Sequence, residues 1–223
     1  MSKSSFYTSI GYKVLMALSG LFLMFFLLQH LTINMLSVIS PSAFNEVSHF
    51  MGTNPLVQFA LQPVLILAVL FHFIMGMVLE YKNKQSRAIS YAYNKPSANS
   101  NWASRNMIIS GLTVLAFLAI HFYDFWIPEI KYKYIDFQVE APERYFEELT
   151  HKFQSLSRVI MYVIAFLFLS LHLLHGFQSS FQSVGFSNQN KRQILHKIGN
   201  VFAVVVPLGF VFIAIFHFLN QHH

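Results

Sequence analysis

The chain has 223 residues, 55% of them hydrophobic and only 11% charged, with a mean hydropathy of +0.48. That balance excludes an ordinary soluble domain and points to an integral membrane protein. Cysteine is absent, which excludes disulfides, thiolate-bound iron–sulfur clusters and thiol catalysis, and the +6 charge sits in short polar segments rather than on a face for nucleic acid.

The opening MSKSSFYTSIGYK runs straight into a span of full length. It shows neither a short apolar core nor a small-residue cleavage site, so no cleavable signal peptide is expected. Apolar runs long enough to cross a bilayer follow at about 14–38, 57–79, 106–127, 157–178 and 198–219. The expected fold is all-α: a single transmembrane domain, residues 1–223, built as a bundle of five membrane-spanning helices. Polar or turn-rich breaks separate the runs, from SPSAFNEVSHFMGTNP between the first two to the long PEIKYKYIDFQVEAPERYFEELTHKFQ after the third. The long break carries Lys131, Lys133, Arg144, Lys152 and Arg158 among more numerous acids from Asp124 to Glu148, and reads as a solvated mixed-charge segment. Tyr123 and Trp126 before it fit an interfacial aromatic belt.

Charge sets the expected orientation. Lys3, Lys13, Lys82, Lys84, Arg87, Lys95, Arg105, Lys191, Arg192 and Lys197 all fall in the N-terminus and the second and fourth breaks, with Glu80 the one acid beside them. The positive-inside rule then places the N-terminus in the cytoplasm and the C-terminus outside.

Two phrases recur. SGLFLMFFLLQH ends at His30 and SGLTVLAFLAIH at His121, each with Ser-Gly eleven and ten residues ahead of the histidine. HFIMG (72–76) and HLLHG (172–176) echo each other as H-x-x-x-G. At a rise of about 1.5 Å per residue, His30 and His121 lie roughly 12 and 9 Å from the outer ends of their spans, and His72 and His172 about 10 Å from the inner surface. Four histidines therefore form two pairs at two depths, and ionisable residues inside spans are expensive enough to be read as functional.

Zinc wants three or four ligands at one level, and each level here offers two. Di-iron sites need Glu on facing helices, and proton relays mix in carboxylates. Two opposed histidines fit the two axial positions of a haem iron. Gly76 and Gly176, four residues after His72 and His172, lie on nearly the same helix face and permit close approach of a flat ring. Gly20 and Gly111, about 15 Å inward from His30 and His121, either serve the inner site in the same way or simply ease helix packing. His175, three residues from His172, has Met75 as its counterpart in the second span, so His172 is the better ligand. His175 remains as an alternative ligand, a donor to the ligand, or a packed histidine. His151, His196, His217, His222 and His223 are expected at interfaces or in solvent, without a role.

With HLxxN (His30, Leu31, Asn34) after the first histidine, the chain resembles the diheme cytochrome b membrane anchors of succinate:quinone oxidoreductases and quinol:fumarate reductases, the respiratory complex II family. The resemblance covers essentially the whole chain, and H-x-x-x-G-x8-G (His172, Gly176, Gly185) is its most specific piece. It implies two haem b groups, with His72 and His172 ligating the proximal one and His30 and His121 the distal one. It further implies a flavoprotein and an iron–sulfur subunit on the cytoplasmic side of a bacterial inner membrane. This chain would be a subunit that binds no dicarboxylate itself and carries electrons to or from a quinone, with menaquinone as the expected substrate. Glu46 and His49 are the nearest candidates for the quinone site, and Ser170 stands where some members carry a proton-transferring Glu. The rival readings are the cytochrome b subunit of a hydrogenase or formate dehydrogenase, and a haem-free transport or assembly protein.

Overall fold

The computed structural model describes residues 9–85, 107–186 and 189–220, all of it helix and connection with no strand among the described residues. Helix α1 is Ser9–Ile39, α2 is Pro41–Thr53 and α3 is Val57–Gln85. Helix α4 is Met107–Ile135, α5 is Arg144–Lys152, α6 is Leu156–Ser183 and α7 is Gln189–Leu219. Five of them, α1, α3, α4, α6 and α7, are long and apolar enough to cross a membrane.

Local chemistry explains the starts and irregularities. Ser40 caps α2 by accepting from the Ala43 amide, with Pro41 as its first residue, and Asn54 does the same for α3 by accepting from Leu56 and Val57. Three wide, five-residue turns lie within the spans, at Val57–Leu61, Phe122–Trp126 and Lys131–Ile135. The first two lie just ahead of a proline, Pro63 and Pro128. A proline ring displaces the carbonyl one turn back and offers no N–H, and shifting the ladder by one residue accommodates it.

At the other end of α6, Gly185 has φ +83. The Gly185 amide donates to Gln182 and the Phe186 amide to Phe181, the paired bonds of a left-handed helix terminus. That is the physical content of the last glycine in H-x-x-x-G-x8-G. Gly185→Ala is expected to cost about 1–2 kcal/mol, read as an earlier thermal transition of the detergent-solubilised protein. An unchanged transition would mean that the turn does not hold α6 in place.

Helices α1, α3, α4 and α6 form a ring, and α7 lies outside it against α6 and α1. The tightly packed part is where α6 meets α7 and α1. Ala203 and Ala214 are fully buried there; Tyr162, Phe166, Phe210 and Ile213 pack around Ala214, and Met24, Leu173 and Phe177 around Ala203. Small residues at such a seam let the backbones approach. Helix α3 buries Val57 at its start and no residue from Gln62 to Gln85. It leans on α1 and touches α4 lightly, and its exposed Phe59, Leu67, Leu70 and Ile74 make a surface suited to lipid.

Three sequence expectations need correction. The third span does not end at 127: α4 continues to Ile135, and after a stretch exposed from 134 to 143 as expected, α5 folds back as a helix. The first break holds α2, which Asn45 bolts to α5 by donating to the Glu143 carbonyl at 2.9 Å and accepting from the Phe146 amide at 2.7 Å. His217 is neither interfacial nor solvated; it is 4% exposed and its Nε2 lies 2.8 Å from Ser37 Oγ on α1. His151 and His196 are exposed as expected, and His222 and His223 lie outside the described residues.

Candidate functional site

The four histidines sit one on each helix of the ring, and each pair crosses it on a diagonal. His30 of α1 faces His121 of α4, with ring centroids 5.8 Å apart; His72 of α3 faces His172 of α6 at 6.3 Å. The two levels differ by eleven residues of α1, from Ser19 beside His72 to His30, about 16 Å along the helix. Met75 and His175 stand one turn on from His72 and His172, and His175 is half-buried.

The recurrent Ser-Gly phrases act on the second pair. Ser19 Oγ donates to the Met16 carbonyl at 2.8 Å and lies 3.0 Å from His72 Nδ1. Ser110 Oγ donates to the Met107 carbonyl at 3.0 Å and lies 3.3 Å from His172 Nδ1. The adjoining glycines clear the imidazoles. A Cβ on Gly20 would stand 3.4 Å from His72 Cε1, and one on Gly111 would stand 3.5 Å from His172 Cε1. Gly76 and Gly176 face methionines rather than each other: a Cβ there would meet Met16 and Met107, respectively. The repeat seen in sequence is thus a repeat of contacts, with α1 and α3 matched by α4 and α6.

The first pair has different surroundings. Phe26 and Phe210 flank His30, while Phe117, Phe125 and Tyr162 flank His121. Asn34 Nδ2 donates to the His30 carbonyl at 2.8 Å, which accounts for the Asn of HLxxN. Ser37 donates to the Asn34 carbonyl at 2.6 Å and meets His217, so one polar chain links His30 to α7. His121 Nδ1 is buried without a hydrogen-bond partner, an orphan that asks for an explanation from outside the protein.

One curated protein matches the chain with 29% identity over 100 residues: the succinate dehydrogenase cytochrome b558 subunit of Bacillus subtilis (strain 168). The chain is similar to a succinate dehydrogenase cytochrome b subunit. The match spans 44% of this chain and 46% of that protein, less than half the length of either. No family model matches, and no solved structure matches. The family resemblance read from the histidines and glycines is borne out by that relative.

The residues present fit haem. A metal–imidazole bond of about 2 Å on each side, plus the two ring radii, puts opposed imidazole centroids roughly 6 Å apart, close to both observed separations. No group of three or more His, Asp or Glu among the described residues could hold a metal ion, so each level offers a pair and no more.

At the end of the bundle capped by α2 and α5, a cavity of about 240 Å³ is lined by His49, Thr53, Tyr132, Lys133, Arg144 and Tyr145. His49 Nε2 is 3.8 Å from Glu140, whereas Glu46 is exposed and does not line the cavity. The cations are already paired. Glu129 takes Lys133 at 2.5 Å and a hydrogen bond from Arg144, which also reaches Glu148 at 2.6 Å. Burial works against the Arg144 charge, but its bonds to Glu129 and Glu148 outweigh that and hold its pKa above the usual range. Burial and then the Glu129 charge push the Tyr145 phenol up to about 12.

Sequence reasoning missed Asp124. It is 1% exposed, accepts from Tyr162 Oη at 2.8 Å and pairs with Arg158 at 3.3 Å. The signal was its place three residues after His121 on the same helix face, where a carboxylate inside an apolar run needs a partner.

Proposed function

We propose that this chain is the membrane anchor and electron-transfer subunit of a succinate:quinone oxidoreductase or quinol:fumarate reductase. It carries electrons between an iron–sulfur subunit and a quinone, menaquinone in this reading. The observation that supports it most is the pair of opposed imidazoles on each diagonal of the helix ring. His72 and His172 would hold one haem b, and His30 and His121 the other. Gly20 and Gly111 leave room for the imidazoles of the first, while phenylalanines keep water from the second. Bound in this way, each haem supplies a one-electron carrier whose potential its surroundings set.

In this reading the Lys-rich end, where Lys82 of α3 lies over the Tyr12 ring of α1, faces the cytoplasm of a bacterial cell. The flavoprotein and iron–sulfur subunits dock there, beside the His72–His172 pair. The opposite end then lies outside, and the quinone head group approaches near His49.

Purification of the chain from its native membrane in mild detergent tests this directly. The expected result is co-purification of a flavoprotein and an iron–sulfur protein, with succinate-driven reduction of a soluble quinone. Recovery of hydrogenase or formate dehydrogenase subunits instead would overturn the complex II assignment.

A further inference from the structure

Both Ser-Gly phrases place a hydroxyl against the Nδ1 of a paired histidine from a neighbouring ring helix, 3.0 Å for Ser19 and His72 and 3.3 Å for Ser110 and His172. A hydroxyl has one proton to give. Ser19 gives its proton to the Met16 carbonyl and Ser110 to the Met107 carbonyl. Each oxygen is then left only its lone pairs to offer the imidazole, so Nδ1 must be the protonated nitrogen. The Nε2 lone pair is thereby left free to act as a ligand. Nothing similar serves the other level, where His121 Nδ1 has no partner and Asn34 brings an amide N–H toward His30.

We infer that Ser19 and Ser110 are positioning residues that fix the tautomer and ring orientation of His72 and His172 and tune the potential of the haem these two hold. The inference rests on the proposed function above. A hydrogen bond from Nδ1–H raises the electron donation of the imidazole through Nε2. Stronger donation favours the ferric form, so removing the acceptor favours the ferrous form. The duplication of the device on two helices makes the effect additive across the iron.

The test is a potentiometric titration of the intact native complex carrying Ser19→Ala, Ser110→Ala or both, with each haem followed in the visible spectrum. For the double variant, the ferrous-to-ferric ratio of the haem held by His72 and His172 should rise up to about tenfold at fixed ambient potential, or 59 mV for one electron. The other haem should not move. Ser→Thr at the same positions keeps the hydroxyl and should restore the parent value.

If the alanine variants lose that haem and the threonine variants keep it, the hydroxyl is still what positions the ligands. An unmoved potential, an equal shift of both haems, or loss of haem in threonine and alanine variants alike would overturn the inference. A parent complex without haem would instead overturn the proposed function.

Discussion

Replacing His72 or His172 with alanine is expected to halve the haem content, removing the group held near the Lys-rich end and sparing the other. Replacing His30 or His121 should do the reverse. The reason is geometric: each pair spans one diagonal of the ring, and no third His, Asp or Glu among the described residues stands ready to replace a lost ligand. The first two variants should also loosen α3. That helix buries no residue from Gln62 to Gln85 and packs mainly on α1, so a bridge from His72 to α6 would be a large share of what holds it. A group that binds only the folded ring stabilises it by mass action, and its loss should expose α3 to proteolysis. Haem extraction and the visible spectrum of each purified variant measure the first effect, limited proteolysis the second. If His175→Ala rather than His172→Ala removed the haem, the ligand on α6 would be misassigned. The ring contact across to His72 is made by His172.

Asp124→Ala should destabilise the chain by about 3 kcal/mol, the low end for breaking a buried ion pair because Arg158 keeps part of its side chain in solvent. The carboxylate has no solvent exposure of its own; Oδ2 accepts a hydrogen bond from Tyr162, and Oδ1 has only the Arg158 charge 3.3 Å away. Truncation leaves a guanidinium and a phenol without their partner beside His121. The double variant Asp124→Ala, Arg158→Ala should recover part of the loss, since the unpaired charge goes with it. Thermal unfolding of the solubilised protein, with double-mutant coupling, reads this. Additive losses would mean that the two charges do not act as a pair.

The five apolar runs were legible because a bilayer demands about twenty uninterrupted apolar residues, and the histidines stood out against that background. Their pairing was legible from depth alone. The short helices were not. In α2 and α5, buried Phe44, Asn45 and Leu149 are diluted among exposed polar neighbours, and the bonds that order them run between segments about a hundred residues apart. His217 gives no local sign of burial, since its partner Ser37 lies 180 residues away. Asp124 stands at the head of a charged stretch, and the sequence pattern ends the third span at 127. The wide turn before Pro128 lets the helix continue where a proline would ordinarily end it. The contacts of Ser19 and Ser110 were half visible: the Ser-Gly phrase recurs in the sequence, but which imidazole each hydroxyl meets depends on how α1 sits against α3 and α4 against α6.

The most direct test of the account is the haem content of the purified native complex, measured as protohaem per copy of this chain, with a visible spectrum after succinate and then dithionite. The account predicts two b-type haems per chain, with absorption appearing on succinate addition. A colourless chain, or one haem that survives every single histidine replacement, would contradict it.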